Sequence, residues 1–322
     1  MSHQSGCTEG KLTAAVYLAI YAGLLIFLAG CLRRILVYSR TPLHLRWEIY
    51  PLPHEHPYRA AYGGSYFETQ EWWRKPQVAN RRGEWRVMAE EILFLKSLRE
   101  FNRRLWLPSF LFHFGLYIAM AAIGCVALAM TCGLFSAGIR FAGFIHMMAP
   151  LMKASGSVGA VLIVTGACWL LMRRATDPAL KNSTHAGDIF NLFLFIAAFT
   201  LLVGGFLMHE PGTASLGEFA RGIVHFDRSV NISPVFAAGL ILTSALVAYI
   251  PFTHMAHFIA KYFTWHAVRW DDRRNERGGA IESQIPVALG YKPTWSAPHV
   301  GADGNRTWAE IATTNPTREA KK

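Results

Sequence analysis

The chain has 322 residues, of which 52% are hydrophobic and 16% are charged, and its formal net charge at pH 7 is +11. Because the apolar residues are concentrated in long blocks, this composition is not typical of a soluble protein. The positive charge follows from membrane orientation and the acidic lipid surface, and it is no argument for binding to nucleic acid.

Five apolar blocks approach or exceed twenty residues, the length at which a helix crosses a bilayer. The blocks are Leu12–Leu32, Trp106–Leu134, Phe144–Met172, Ile189–Met208 and Pro234–Phe263. No basic stretch precedes the first block, and Arg33 and Arg34 follow it, so we expect a retained span and not a cleaved signal peptide. The sequence therefore predicts an all-α integral membrane protein with five transmembrane helices.

Lysine and arginine predict the orientation of these helices. On one side of the predicted spans the connecting segments carry 27 of these residues, and on the other side they carry four. By the positive-inside rule the N-terminus is outside and the C-terminus is cytoplasmic, in a prokaryotic inner membrane. The predicted organisation is an outer tail at 1–11, a membrane domain at 12–263 with a cytoplasmic loop at 33–105, and a cytoplasmic tail at 264–322.

The predicted cytoplasmic segments differ in character. The first half of the loop is rich in proline and aromatic residues, which indicates packing against a partner protein or the membrane surface. Residues 84–104 have apolar side chains at helical spacing, which predicts an amphipathic helix leading into the second span. The tail has little periodicity, so we interpret it as a partner-binding or partly disordered segment.

Histidines inside the apolar blocks carry the functional argument. His113 lies near the cytoplasmic start of the second span, and His257 lies near the cytoplasmic end of the fifth. An ionisable side chain at membrane depth usually serves a pathway or a cofactor, and for neutral imidazole that cofactor is most often haem iron. We therefore predict a haem b bundle with His113 and His257 as the axial ligands. The alternative is two buried histidines hydrogen-bonded to the backbone.

Four other polar residues at or near the apolar blocks are candidates for cofactor or quinone binding. His254 precedes His257 by three residues on nearly the same helical face, so we expect it beside the haem, paired with a propionate or polar backbone. His146 and His209 lie near the outer ends of spans three and four, and Lys153 lies about two turns deeper. The cysteines form no Cys-x-x-Cys pair, so covalent c-type haem and iron–sulfur ligation are not expected.

Three pieces of the sequence carry a family resemblance: Leu111–Gly115, Leu170–Arg174 followed by Gly187–Ile189, and Pro251–His257. In order and topology they resemble the gamma subunit of respiratory nitrate reductase, a membrane cytochrome b with two b haems between five helices. The resemblance implies that His113 and His257 ligate the haem nearer the cytoplasmic subunits. It also implies an electron-transfer subunit of a membrane oxidoreductase complex.

Two departures concern the family's second haem. The resemblance places its ligands at Ile123 and Gly239, neither of which can bind iron. His146 falls about where the family has a lysine associated with quinol. Two hypotheses follow for the outer half: His146 and His209 ligate a relocated second haem, or His146, with Lys153, binds menaquinone or another quinone. We favour the quinone role for His146, because it matches the quinol-associated lysine, whereas two histidines at helix ends are as easily explained as interfacial residues. An imidazole that titrates near neutrality also suits proton release.

The long loop also resembles, more loosely, that of the cytochrome b subunits of sulfate-reducer transmembrane redox complexes. This second resemblance implies a cytoplasmic iron–sulfur partner related to heterodisulfide reductase, and an outer c-type cytochrome as another possible redox partner.

Two other functions compete with electron transfer. A haem-free membrane anchor for a cytoplasmic oxidoreductase is the main alternative, although it leaves two histidines at one depth unexplained. A transporter is expected to have broken helices and paired repeats, and neither is visible in the sequence.

Overall fold

The computed structural model describes residues 2–40, 55–62, 64, 68–76, 80–135, 139–208, 211–263, 276–297 and 300–314, without the side chains of residues 2–9, 60, 73, 84, 129–135, 139–149, 216 and 296–297. Two short strands and thirteen α-helices occur in the described residues. The helices are α1 (Ser2–Arg40), α2 (Pro57–Tyr62), α3 (Arg81–Phe94), α4 (Lys96–Phe101), α5 (Arg103–Phe135), α6 (Ile139–Thr176), α7 (Pro178–Lys181), α8 (Ala186–Leu207), α9 (Leu216–His225), α10 (Pro234–Tyr249), α11 (His257–Lys261), α12 (Ala280–Leu289) and α13 (Trp308–Thr313).

Five of these helices are long and apolar enough to cross a membrane, which confirms the predicted number of spans. The spans are Gly10–Arg40, Arg103–Leu128, Pro150–Thr176, Ala186–Leu207 and Pro234–Phe252. Only 22–33% of each apolar window is buried inside the protein, so most of its apolar surface faces outward. Such a surface suits lipid and not water, and the chain is a multi-pass membrane protein.

The last span differs from the prediction of one helix over Pro234–Phe263. Helix α10 ends at Tyr249, and two short 3₁₀ turns, Ile250–Phe252 and His254–Ala256, separate it from α11. Pro251 explains the interruption, because proline has no N–H for the helical ladder and its ring clashes with the preceding turn. The prediction of an unbroken helix is therefore wrong, and His254 and His257 follow the last span instead of lying within it.

The segment before the second span also differs from its prediction. The expected single helix at 84–104 is divided into α3 and α4 at Leu95, which has a left-handed φ of 50°. The carboxylate of Glu91 accepts hydrogen bonds from both the backbone N–H and the hydroxyl of Ser97, and this stabilises the break. Helix α5 then begins at Arg103, so that Pro108 lies inside its second turn.

By its internal contacts the chain divides into two units, of which the first contains residues 1–31 and 88–256. Its main core lies where α5, α6, α8 and α10 meet, around Phe112, Ile163, Phe195 and Leu246. Helices α5 and α6 approach closely through small residues: a Cβ atom on Gly115 would lie 2.6 Å from the carbonyl oxygen of Gly159. Such backbone approach is the usual basis of helix packing in membranes.

A second core in this unit joins α1 to α9 and α10. Val16 and Tyr17 are fully buried and pack with Phe219 of α9 and Ala237 of α10. The Tyr17 hydroxyl also donates to the backbone carbonyl of Asp227 at 3.2 Å. Helix α9, which follows the fourth span, is thereby held against the first and fifth.

The second unit contains residues 32–87 and 257–322. The described part of the tail folds locally: α12 is followed by an antiparallel pair of strands, β1 (Ser296–Ala297) and β2 (Ala302–Asp303), and by α13. Trp295 and Trp308 pack edge to face with ring centroids 5.8 Å apart. These described residues of the tail therefore contain regular structure, and the interpretation of the tail as a partner-binding or partly disordered segment stays a prediction.

Candidate functional site

His113 lies on α5 and is half-buried, with a specific hydrogen bond to its own helix. Its Nδ1 atom is 2.7 Å from the carbonyl oxygen of Ser109. A carbonyl oxygen can only accept, so Nδ1 carries the hydrogen and Nε2 carries the ring's lone pair. This is the tautomer that a histidine needs to bind a metal through Nε2.

A row of three buried phenylalanines continues from His113 through the core of the first unit. Phe112 meets the His113 ring edge to face at 5.4 Å and meets Phe195 of α8 at 4.9 Å between centroids. Phe195 in turn stacks with Phe199, at 6.2 Å and with an interplanar angle of 12°. The three side chains are each less than 10% exposed. Aromatic contacts therefore run without a gap from His113 to Phe199.

His254 belongs to a polar cluster at the end of the bundle where α6 finishes and α8 begins, called here the basic end. Its Nε2 atom lies 3.2 Å from a carboxylate oxygen of Asp188 and 3.5 Å from the amide nitrogen of Asn191. The other oxygen of Asp188 lies 3.4 Å from the Arg174 guanidinium and accepts from the backbone N–H of His185. Asp188 thus connects α6, the start of α8 and the interrupted segment after α10.

The interruption changes the expected relation between His254 and His257. A separation of three residues places two imidazoles on nearly one face only in a regular α-helix. His254 instead begins a 3₁₀ turn, so this expectation does not apply to His254 and His257. The Thr253 hydroxyl donates to the Ile250 carbonyl and accepts from the Met255 N–H, which holds the turn. His257 is exposed and is the first residue of α11, in the second unit.

A large apolar cavity occupies the other half of the first unit, between the main core and α9. Its volume is about 670 Å³, and its walls come from α1, α5, α6, α8, α9 and α10. Small residues on α5 and α6, among them Ala119, Ala122, Gly156 and Ala160, leave this space open. A Cβ atom built on Gly156 would meet no atom within 4 Å.

The cavity wall contains few polar side chains. Lys153 on α6 lies with its Nζ atom 5.0 Å from the centre of the Phe206 ring. Ser157 lies one turn further along the same helix. Thr243 on α10 has a buried hydroxyl with no hydrogen-bond partner in the described part of the chain. Of the three tentative quinone or second-haem residues, Lys153 alone is described, because His209 and the His146 side chain lie outside the described residues.

The structure also bears on the two positions where the resemblance places second-haem ligands. Ile123 lines the cavity, and Gly239 lies at the contact between α8 and α10. A Cβ atom on Gly239 would be 2.6 Å from the backbone nitrogen of Leu202, so no side chain fits there without moving a helix.

Sequence reasoning missed Asn191, Thr243 and the role of Asp188. Asn191 and Thr243 could have been singled out, because they are isolated polar residues in apolar spans. Such residues usually have a polar partner or a function. The ion pair of Asp188 with His254 was not foreseeable, because it depends on the interruption at Pro251.

Comparison with curated proteins gave no match, whereas a family model does match. A family model described as the nitrate reductase gamma subunit matches residues 95–271, which is more than half of the chain and includes the second to fifth spans. Proteins of this family are haem-containing membrane cytochrome b subunits that take part in electron transfer. Because the matched region covers more than half of the chain, this chain belongs to the nitrate reductase gamma subunit family.

Proposed function

We propose that this protein is the haem b membrane subunit of a respiratory redox complex. It transfers electrons across the membrane between a quinone pool, or an outer cytochrome, and a cytoplasmic iron–sulfur subunit. The observation that carries the proposal is the match of residues 95–271 to the nitrate reductase gamma subunit family. The hydrogen bond from His113 Nδ1 to Ser109 O is compatible with it, because it leaves Nε2 as the basic nitrogen.

Two imidazoles are donors of the type that a low-spin haem uses. His113 would supply one axial nitrogen through Nε2, with its ring orientation fixed by the Ser109 carbonyl. His257 would supply the other, a role that rests on its place in the sequence and on the family resemblance. A bound haem supplies reversible one-electron chemistry. The work of the chain is to hold the two imidazoles and to keep the surroundings apolar.

His254 is proposed to stand beside the haem without binding the iron. Its Nε2 is 3.2 Å from Asp188, and a nitrogen that is engaged by a carboxylate is a poor competitor for iron. The side chain is 65% exposed, so its contribution to stability is small. Its effect would instead be on the local charge and therefore on the reduction potential.

The partners follow from orientation and resemblance. The basic end would face the cytoplasm, and the long loop with the tail would bind an iron–sulfur subunit related to heterodisulfide reductase. This finer assignment, to the sulfate-reducer type of complex, rests on the resemblance of the loop. On the other side, the proposed redox partner is a quinone or a c-type cytochrome. His146, Lys153 and His209 are the proposed contacts for a quinone, and His146 with His209 for a second haem is the competing hypothesis.

The test is the haem content of the purified protein and of single variants, measured from the b-type absorption band. His113→Leu and His257→Leu should each lose the haem while still inserting in the membrane. His225→Leu, at an exposed position of α9, is the matched control and should keep it. If wild type contains no haem, the protein is an anchor; if both variants keep full haem, the ligand assignment is wrong.

A further inference from the structure

The chain between α10 and α11 has weaker backbone hydrogen bonds than a continuous helix would have. Pro251 has no N–H, and two 3₁₀ turns replace the helical ladder around it. In these turns Thr253 N donates to Ile250 O at 3.2 Å, and Ala256 N donates to Thr253 O at 3.3 Å. Because 3₁₀ turns have poorer hydrogen-bond geometry than an α-helix, this interrupted segment, residues 250–256, depends more on side-chain contacts for its position.

Apolar contacts fix the depth of the interrupted segment in the first unit. Pro251 is fully buried against α1, where a Cβ atom on Gly30 would lie 2.6 Å from the Pro251 Cβ. Met255 packs against the main core, and Ala256 is 1% exposed. Apolar packing has no preferred direction, so these contacts leave the rotation of the segment about its own axis to a polar contact.

A directional contact of this kind joins His254 to Asp188. The His254 Nε2 atom lies 3.2 Å from a carboxylate oxygen, which can only accept, so Nε2 carries the hydrogen. The donor belongs to the interrupted segment, and the acceptor belongs to the first turn of α8. Hydrogen bonds to a charged acceptor are stronger than neutral ones, so this contact ties one side of the segment to α8.

The Asp188 carboxylate is itself held in place. Its second oxygen accepts from His185 N at 2.9 Å and lies 3.4 Å from Arg174 Nη1. The same Arg174 nitrogen donates to Thr184 Oγ1 at 3.1 Å. The Asp188 side chain is only 14% exposed, so water competes little for it. Capping of α8 uses one oxygen of Asp188 and does not explain why the other oxygen faces His254.

His257 follows the interrupted segment directly in the chain. Only Met255 and Ala256 separate it from His254, so a rotation of the segment would pass to the first residue of α11. A metal-binding imidazole needs a defined ring orientation, which is usually set by groups that do not touch the metal. The contact of His254 with Asp188 is suited to this task.

We propose that Arg174, Asp188 and His254 form a clamp that fixes the interrupted segment, and that Asp188 and Arg174 are positioning residues for the His257 imidazole. The proposal rests on the proposed function, in which His257 is an axial ligand. Asp188 acts through His254, and Arg174 acts by holding Asp188. If the ion pair served only to begin α8, its removal would loosen α8 and leave the interrupted segment unchanged.

The test is hydrogen exchange of the amides of residues 252–256, measured by mass spectrometry on the purified full-length protein in lipid nanodiscs. Asp188→Asn keeps an oxygen for the His185 N–H but removes the charge that holds the imidazole, so protection should fall about two- to fivefold. Asp177→Asn is the matched control and should equal wild type. Asp177 forms a similar ion pair with Arg173, at 2.5 Å, and its described hydrogen bonds go to α6 and α7.

A double variant separates the clamp from a general loss of stability. If Asp188 acts through His254, Asp188→Asn should cause no further loss of protection in a His254→Leu background. The His254 side chain is 65% exposed, so both replacements there should fold. His254→Gln has an amide N–H that can still donate to Asp188, and it should retain more protection than His254→Leu.

Electron paramagnetic resonance of the ferric protein provides a readout that a purely structural role would not change. The g-values of a low-spin haem depend on the orientation of its axial imidazoles, so Asp188→Asn should shift them and Asp177→Asn should not. Wild-type protection in Asp188→Asn, additive losses in the double variant, or unchanged g-values despite lowered protection would each overturn the proposal.

Two further outcomes are also decisive. Should Asp188→Asn not accumulate, Arg174→Gln is measured in the same way, and wild-type protection there overturns the proposal. Wild-type protein without haem would refute the proposed function alone, because hydrogen exchange still reports on the clamp. Normal haem content with no change in protection would refute the clamp alone.

Discussion

Asp188 shows how much a single side chain can organise in a membrane protein. One carboxylate oxygen faces the His254 imidazole, and the other faces Arg174 and accepts from the first turn of α8. A carboxylate at the N-terminus of a helix is favoured by the unpaired N–H groups and the dipole there. The same group therefore begins a helix, balances an arginine and fixes the position of a histidine.

His254→Ala is expected to keep the haem and change its reduction potential. The substitution removes a titratable imidazole near the basic end without removing either proposed ligand. Redox titration followed by optical absorption is the measurement. Asp188→Asn, which weakens the hold on the same imidazole, should shift the potential too. Complete haem loss in His254→Ala, with haem retained in His257→Ala, would reverse the two assignments.

Phe195→Leu is expected to slow the reduction of the haem by added menadiol without changing haem content. The substitution removes the middle ring of the row between the cavity and His113, although leucine keeps much of the apolar volume. Stopped-flow absorption gives the rate. Phe193→Leu is the control, because Phe193 is exposed on the same helix. Equal rates in the two variants would show that the row serves packing alone.

At the scale of elements, α9 depends on its own capping. Ser215 and Glu218 form reciprocal hydrogen bonds at the start of the helix, at 2.7 and 3.3 Å. Hydrogen bonds from the backbone N–H and the side chain of Ser215 to the Glu218 carboxylate lower the pKa of this carboxyl below its ordinary value of 4.5. Because α9 forms one wall of the cavity, its local stability affects the proposed site.

The α9 cap should be lost in acid. A carboxyl with a lowered pKa in the folded protein stabilises it above the ordinary pKa, and this stabilisation decreases as the pH falls below 4.5 and through the lowered value. The protection factors of the α9 amides, which are exchange rates corrected for the intrinsic pH dependence of exchange, should therefore be higher at pH 7 than near pH 4. In Glu218→Gln the protection factors at pH 7 should already be lower, and their pH dependence should be smaller.

Gly239→His is expected to destabilise the protein without adding a haem, even together with Ile123→His. The new side chain would meet the α8 backbone at Leu202, and overpacking of this kind costs about 1–3 kcal/mol or more. Haem stoichiometry and thermal stability in detergent are the measurements. A second haem in the double variant would show that α8 and α10 separate readily and that the cavity is a vacant haem site.

The sequence predicts the number of spans correctly, but it does not predict where each span ends. A run of twenty apolar residues has few alternatives in a bilayer, so five helices follow from Leu12–Leu32 and its four successors. Pro251 signalled a break, but apolarity up to Ile250 and the histidines beyond it favoured a continuous helix. The division at Leu95 and the cavity behind Gly156 depend on tertiary contacts, which no local pattern contains.

The candidate site was predictable only in part for the same reason. His113 was recognisable in the sequence as an imidazole in an apolar helix. Its tautomer could be assigned only from the hydrogen bond to the Ser109 carbonyl, which the sequence does not contain. The cavity needed six helices to be placed together, since Lys153, Thr243 and Phe199 are unremarkable in sequence and significant only as neighbours.

At the scale of the whole molecule, the distribution of charge predicts topology. The N-terminus should be outside and the C-terminus cytoplasmic, because the basic segments would otherwise have to be translocated. A green fluorescent protein fused after Lys322 should fluoresce, and alkaline phosphatase fused there should be inactive. Phosphatase inserted in the loop between α8 and α10 should be active. The reverse pattern would invert the assignment of both redox partners.

Two large apolar side chains of the cavity wall, Ile123 on α5 and Leu24 on α1, are 67% and 51% exposed, so the cavity opens sideways between these helices. This opening determines which concentration controls the occupancy of the cavity by any ligand. A molecule that arrives through the hydrocarbon binds according to its mole fraction among the lipids, and its solubility in water is irrelevant. Doubling the amount of lipid, with the amounts of protein and ligand held constant, would therefore halve the fraction of cavities occupied in the weak-binding regime. The effect would resemble that of an added competitor. In a cell, the same relation would make occupancy depend on how much of the ligand the membrane contains relative to its lipid.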